Sequence, residues 1–247
     1  MIPLQKEIRS FAHPGRALVS ASFFKTGKGQ YGEGDVFLGL AAPQARIIAK
    51  RHGALSFVGI DTLLASRYHE ERLIGLFILI DRFRSGSEKV RKKIFDFYLA
   101  HLDRVNNWDL VDISAHKIVG AYLLGKPTEI LDRMIESGKL WERRVAMVAS
   151  LAFMIHKDAS LVFRLAEKLF DDKEDLMQKA AGWMLREAGK RVSRKELELF
   201  LEKNVLVMPR TMLRYATEHF SEIERTKWLS VGKKNDERSG GISGRAK

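Results

Sequence analysis

The chain has no cysteine, very little strand-like pattern and no long apolar run. The lack of cysteine excludes disulfides, thiolate catalysis and cysteine-ligated metal sites, and it fits a reducing cytosol. The most apolar run, Leu73–Ile80, is far too short to cross a bilayer. The first residues lack the basic-then-apolar form of a signal peptide, so we expect a cytoplasmic protein with no membrane partner.

Signatures of metal and nucleotide chemistry are also missing. The seven histidines show no metal-ligand spacing, and we expect each to be a surface residue or a satisfied core residue. The glycine-rich stretch 27–35 holds no G-K-[S/T] sequence for a nucleotide phosphate, and no serine lies in a nucleophile elbow. The sequence therefore predicts no metal and no cofactor.

Positive charge is in excess. Lys and Arg number 43 against 31 Asp and Glu, which gives a formal net charge of +12. Such an excess favours a polyanionic partner, because neutralising phosphates releases counterions. The alternative is a basic surface without a partner. Hydrophobic residues make up 45% of the chain, enough for a substantial core, so disorder throughout the chain is excluded.

Apolar residues recur at helical spacing along most of the chain, which predicts an all-α protein. The predicted helices cover 16–26, Pro43 to about Gly53, 56–66, 68–84, 88–104, 109–124, 128–137, 140–156, 160–171, 174–189, 193–203 and 209–229. We expect residues 1–230 to form a single HEAT-like helical domain. Residues 231–247, basic and rich in glycine and serine, are predicted to be a disordered tail.

Several of these helices have similar sequences. Glu70–Gly75 resembles Glu142–Met147 and, more weakly, Met177–Gly182. Helix pairs that repeat at intervals of about this length are typical of a HEAT- or armadillo-like solenoid. The sequence therefore predicts an α-α superhelix, in which every second helix presents equivalent positions on one concave surface.

One position of this repeat carries a basic series with a single exception. In the chosen register Arg72, Arg144 and Lys179 are basic, and Asp112 is the exception. Such a series is either a solvated helix face or a surface that follows a phosphate backbone, and its repetition favours the second. An acid there would repel DNA unless it has a function. We therefore predict a concave basic DNA-binding surface with Asp112 as a candidate catalytic residue.

Asp112 also lies one helical turn after Trp108, so an acid and an indole share one helix face. Trp183 and Arg186 place a cation beside an indole in the same way. The alternatives are structural: a tryptophan on a helix usually belongs to the core, and an acid in a first turn is stabilised by the helix dipole. From these residues alone, both interpretations of Asp112 stay open.

Taken together, the motifs resemble a known family, the AlkD-like DNA alkylation repair enzymes, which are HEAT-like-repeat DNA glycosylases. Each segment is unspecific alone, but all follow the family's order. The matching segments, with the family patterns, are Phe23–Lys25 and Phe37–Gly39 (N-terminal signature), Asn107–Asp112 (W-D-x-V-D), Trp141–Arg144 (W-x-x-R) and Lys179–Glu187 (K-A-x-G-W-x-L-R-E).

The resemblance implies base excision repair: hydrolysis of the N-glycosidic bond of N3- and N7-alkylated purines in duplex DNA. The protein would be a monomer, associated with the nucleoid when bound to DNA. Phe23 stands where many members have a tyrosine, so a hydroxyl is missing there. With the repeat register, the implied residues are catalytic Asp112, the cleft aromatics Trp108, Trp183 and Phe23, and the DNA-backbone contacts Arg144, Arg186, Lys179 and Arg72.

A single carboxylate suits this reaction. An alkylated purine is already cationic and leaves without protonation, so the general acid of ordinary glycoside hydrolysis is not required. One carboxylate near the sugar can stabilise the oxocarbenium-like transition state and orient a water. Two alternatives remain open. A non-catalytic relative would bind distorted or branched DNA without base release, and a scaffold for an acidic protein would not need the Trp/Asp cluster.

Overall fold

The computed structural model describes residues 1–239, and these residues are mostly helical. They contain no β-strand, and one isolated bridge joins Val36 and Tyr68. The prediction of an all-α protein is therefore confirmed. The chain divides into two compact units, Met1–Tyr122 and a second that begins at Leu123. Within the described part, no helix is long and apolar enough to span a membrane.

The first unit is built around one buried helix, α5. Its helices in chain order are α1 (Pro3–Ser10), α2 (Pro14–Phe23), α3 (Ala42–Arg51), α4 (Phe57–Leu64), α5 (His69–Ser85), α6 (Glu88–Ala100) and α7 (Trp108–Ala115). A π-helical turn, His116–Gly120, continues α7 into the short α8 (Ala121–Leu123). Helix α5 packs against α3, α4, α6 and α7, and every residue of its first three turns is buried. A helix surrounded in this way is the centre of a core.

Helix α1 was missed by the sequence prediction, and a buried carboxylate explains how it docks. Glu71, in the first turn of α5, is completely buried. It accepts hydrogen bonds from Gln5 Nε2 and Arg9 Nε of α1, both at 2.7 Å. An acid at the start of a helix is also stabilised by the helix dipole. The charged first turn of α5 therefore anchors the N-terminal helix.

The segment between the glycine-rich stretch and α3 fixes the position of α2. Glu70, buried in the first turn of α5, accepts three consecutive backbone N–H groups from residues 38–40. Gly39 has a φ of 84°, and a Cβ there would overlap the carbonyl oxygen of His13 and lie 2.8 Å from the backbone nitrogen of Ala17. Glycine is required on both counts, so it allows α2 to lie directly against this segment.

The second unit is built around α13. Its helices are α9 (Glu129–Ile135), α10 (Leu140–Ala149), α11 (Leu151–Ile155), α12 (Ser160–Glu167), α13 (Asp175–Arg191), α14 (Arg194–Asn204), α15 (Arg210–Ala216) and α16 (Glu222–Ser239). Helix α13 packs against α10, α11, α12, α14 and α15. A Cβ on Gly182 would lie 2.5 Å from both the carbonyl oxygen of Met212 and Cβ of Tyr215. This glycine lets α13 and α15 approach closely.

Several predicted segments differ from the structure. The predicted helix 140–156 is divided at Ser150, whose hydroxyl donates to the carbonyl of Met147 at 2.6 Å and competes with the helical pattern. The predicted helix 209–229 is interrupted between α15 and α16. The predicted tail from residue 231 is helical up to Ser239, and its residues 240–247 lie outside the described residues. The single domain over 1–230 stays a prediction.

Candidate active site on helix α7

Helix α7 begins at Trp108 and carries Asp112 one turn later. Asn107, which is fully buried, caps the helix by accepting the backbone N–H of Trp108 at 2.8 Å. Both Trp108 and Asp112 are half-buried. A carboxylate and an indole are therefore partly open to solvent on one face of α7, as their spacing predicts.

An aromatic cluster surrounds Trp108. Phe24 stacks on the indole, with ring centroids 5.1 Å apart and planes 18° apart. Phe23, 64% exposed, meets the indole edge-on at 5.9 Å, and Phe37 stacks on Phe24 at 5.0 Å. The structure thus brings the predicted Phe23, Trp108 and Asp112 together in the first unit. Exposed aromatic rings of this kind can stack against a nucleobase.

A buried ionic network lies against the aromatic cluster. His69, only 2% exposed, stacks on Phe37 with ring centroids 4.6 Å apart. Its Nδ1 lies 3.0 Å from a carboxylate oxygen of Asp35, and its Nε2 lies 2.8 Å from one of Asp109. Ionised carboxylates only accept hydrogen bonds, so both ring nitrogens must donate. We therefore assign His69 as an imidazolium.

The charges of this network stabilise one another. Burial alone would lower the pKa of His69, but the hydrogen bonds to Asp109 and Asp35 outweigh it and raise the pKa to about 9. Burial alone would raise the pKa of Asp35, but the contacts with His69, Arg72 and Asn107 outweigh burial and bring this pKa below its ordinary value. At neutral pH, the network is charged and ties the start of α7 to the start of α5.

Arg72 belongs to this network and not to a solvent-facing surface. It is 4% exposed, pairs with Asp35, and donates Nη1 to the carbonyl of Ser66, six residues earlier, at 3.0 Å. Arg143 donates to the carbonyl of Ser137, also six residues earlier, at 2.8 Å. In this contact Arg72 resembles Arg143, the residue before Arg144, with which the predicted register aligned it. The Arg72 guanidinium is buried and paired with Asp35, and its predicted contact with a DNA backbone stays a prediction.

The other three residues of the predicted register occupy the same position in their helices. Asp112, Arg144 and Lys179 are each the fifth residue of their helices, α7, α10 and α13. Arg144 is 5% exposed and donates Nη1 to the carbonyl of Leu176 at 2.7 Å. Lys179 is half-buried and pairs with Asp175, one turn earlier, at 2.6 Å. Their predicted contacts with a DNA backbone stay predictions.

Helix α13 carries the remaining predicted residues. Trp183 is half-buried. Arg186, one turn later, pairs with Glu218 of the segment after α15, and its Nη2 lies 3.6 Å from Glu187. In this structure the Arg186 guanidinium is therefore part of an ion-pair network of the second unit. Its predicted contact with DNA, and the place of Trp183 in a cleft, stay predictions.

Sequence reasoning missed the residues that support α7. It treated His69 as one of seven histidines without a special role, and it gave no role to Asp35 or Asp109. The partners of His69 lie 34 and 40 residues away in the chain, so no local spacing indicates them. One signal was present: Asp35 ends the glycine-rich stretch directly before an apolar segment that the fold buries.

A family model described as DNA alkylation repair enzyme matches residues 4–220. The chain belongs to the DNA alkylation repair enzyme family. Membership of the family gives the protein a role in the repair of alkylated DNA and implies DNA as a partner. The match extends through both compact units and includes every predicted site residue.

A solved structure of a predicted DNA alkylation repair enzyme from Enterococcus faecalis is similar to this family member. The likeness has a TM-score of 0.65 and covers 85% of this chain and 97% of that chain, at 17% sequence identity. At this identity it shows the fold alone, and it agrees with the predicted α-α superhelical class. The basic concave surface and the HEAT type of the repeats stay predictions. No curated protein matches the chain.

Proposed function

We propose that this DNA alkylation repair family member is a DNA glycosylase. In this proposal it acts as a monomer on duplex DNA and hydrolyses the N-glycosidic bond of cationic N3- and N7-alkylated purines. The observation that supports it most is the half-exposed Asp112 on α7, beside Trp108 and the exposed ring of Phe23. This is the position at which the resemblance implies the catalytic carboxylate.

The W-D-x-V-D segment contains two acids, and their surroundings favour Asp112 for catalysis. Asp109 binds the His69 imidazolium with Oδ2, and its Oδ1 accepts the backbone N–H of Leu110 at 2.8 Å. Its side chain is 18% exposed. Asp109 is thus used to hold α7 in place. Asp112 lies on the same helix face as Trp108, where a bound nucleotide would meet it.

The reaction needs one negative charge near the sugar. As the bond from C1′ to the base nitrogen breaks, its electron pair neutralises the cationic base and C1′ becomes positively charged. The Asp112 carboxylate stabilises that charge, orients a water whose oxygen bonds to C1′, and accepts the proton. Each aromatic face beside the cationic nucleotide adds about 0.5–2 kcal/mol of attraction. A neutral base would also need an acid, which this proposal does not contain.

The second unit contributes to the proposal through the resemblance alone. Trp183 is assigned as a further cleft aromatic, and Arg144, Arg186 and Lys179 as contacts with the DNA backbone. Arg144 and Arg186 already have partners inside their own unit, the carbonyl of Leu176 and the Glu218 carboxylate. In this proposal, contacts with a phosphate are made in addition to these interactions or in exchange for them.

The first test is release of the free base from duplex DNA that contains N7-methylguanine. We expect Asp112→Asn to lower single-turnover release by roughly 100-fold or more, because it removes the charge that stabilises the transition state. DNA affinity should be unchanged or higher, since a negative charge near phosphates is lost. Asp171→Asn removes the same charge from an exposed residue after α12 and should release base at the wild-type rate.

Two results would contradict this assignment. Equal release by Asp112→Asn and Asp171→Asn would remove Asp112 from the mechanism. Tight binding of damaged DNA by the wild-type protein without base release would favour the alternative, a non-catalytic relative that recognises distorted or branched DNA.

A further inference from the structure

An open groove with a volume of about 420 Å³ lies between α3 and α5 in the first unit. Arg46 and Lys50 of α3 line it, and Phe77, Asp81 and Arg84 of α5 line it as well. We refer to these residues as the α3–α5 groove. Arg46, Lys50 and Arg84 are exposed, so cations border the groove from both helices.

Lys117 adds a fourth cation. It lies in the π-helical turn that follows α7, and it is half-buried. Burial, together with the positive charges of Arg46 and Arg84, lowers the pKa of Lys117 below its ordinary value, and only Asp81 acts in the opposite direction. The lysine ammonium therefore shares one electrostatic environment with the groove.

The charges of this cluster are not balanced. Arg84 pairs with Asp81 at 3.2 Å, and Arg46 lies over the ring of Phe77 at 4.2 Å. Among the described residues, no carboxylate forms an ion pair with Arg46, Lys50 or Lys117. Like charges held together in a partly dehydrated groove raise the free energy of the unbound protein, and an anion there removes that cost.

We propose that the α3–α5 groove binds a phosphodiester of the DNA backbone. The inference rests on the proposed function only for its choice of DNA as the polyanion. The Arg46 guanidinium, steadied by the ring of Phe77, presents planar donors that suit phosphate oxygens.

The test is binding of undamaged duplex DNA by fluorescence anisotropy over a series of NaCl concentrations. Each phosphate contact contributes about 0.9 to the slope of log K against log salt. We expect Arg46→Gln/Lys117→Gln to lower the slope by about one, because the groove holds one phosphodiester, and Lys50→Gln, an exposed single change, to lower it by part of that amount. Lys6→Gln, which removes an exposed cation of α1, should leave the slope unchanged. Lys117→Gln without DNA should unfold at the wild-type temperature or above, because a repelled charge is removed.

The alternatives give different results. A slope in the groove variants equal to that of Lys6→Gln would overturn the proposal. Calorimetry with inorganic phosphate gives a second contradicting result. If the wild-type protein binds phosphate and the groove variants do not, while the salt slope of their DNA binding is unchanged, the groove holds a small free anion and not DNA. The proposed function is tested separately, by the release of free base. A lowered slope without any base release would support the groove and refute only the glycosylase.

Discussion

His69 is the residue that links the candidate site to the fold. Its ring stacks on Phe37 and lies tilted against Phe24, and Phe24 stacks on Trp108. Its two nitrogens join Asp35, at the end of the glycine-rich stretch, to Asp109 in the first turn of α7. One buried cation thus positions the aromatic rings and holds two carboxylates that would otherwise repel each other.

The network predicts how stability depends on pH. The folded pKa of His69, about 9, lies above the unfolded value near 6.5. The imidazolium's contribution to the free energy of unfolding is therefore fully present below about pH 6.5 and is lost as pH rises through about 9. Its size is about 3 kcal/mol. Urea unfolding between pH 6 and 10 should show the difference between wild type and His69→Gln shrinking across this window.

A control separates this effect from general alkaline destabilisation. His156→Gln changes an exposed histidine and should run parallel to wild type at every pH. A His69→Gln curve that also runs parallel to wild type would show that His69 is not charged in the folded protein.

At the scale of helices, the close approach of α13 and α15 explains why the K-A-x-G-W-x-L-R-E motif has a glycine at position 182. Gly182 precedes Trp183 on α13, and its missing side chain leaves room for the backbone of α15 at Met212. The atom in the way is a carbonyl oxygen within a helix, which cannot move aside as a side-chain end can. The motif's glycine therefore serves helix packing, and the neighbouring tryptophan depends on that packing for its position.

Gly182→Ala should destabilise the protein by about 1–3 kcal/mol, through overpacking. The loss should appear although alanine is the better helix former by about 1 kcal/mol. Gly189→Ala, on the same helix, is the matched control, because its Cβ would mainly meet the flexible end of Leu197. Thermal unfolding of both variants measures the difference. A Gly182→Ala variant as stable as Gly189→Ala would contradict the close approach of α13 and α15.

The positions of most helices could be predicted from the sequence, but the breaks and irregular turns within them could not. Apolar spacing predicts most helices within a few residues. The π-helical turn His116–Gly120 and the break at Ser150 lie inside segments that read as continuous helices. Helix α1 was missed because its docking depends on Glu71, more than sixty residues away. Such features depend on packing against distant parts of the chain.

For the whole molecule, net charge is the property that acts over the longest range. A formal charge of +12 attracts a polyanion before any specific contact forms, and salt screens that attraction. Raising NaCl from about 50 to 200 mM should therefore lower kcat/KM for base release steeply, by about tenfold or more. The single-turnover rate of the proposed reaction at saturating enzyme should change little, since the role proposed for Asp112 depends on a charge at short range. A kcat/KM that is independent of salt would argue against electrostatic capture of DNA.

The all-α class and the pairing of Trp108 with Asp112 could be read from the sequence, because they depend on spacing along single helices, where backbone geometry sets which residues share a face. The family could be read from the order of its motifs along the chain. The burial of Arg72, the joining of two acids by His69, and the groove that Arg46 shares with Arg84 appear only once the chain is folded. Those arrangements bring together residues far apart in the chain. They form because burial makes an unpaired charge costly, and no local pattern records which partner relieves it.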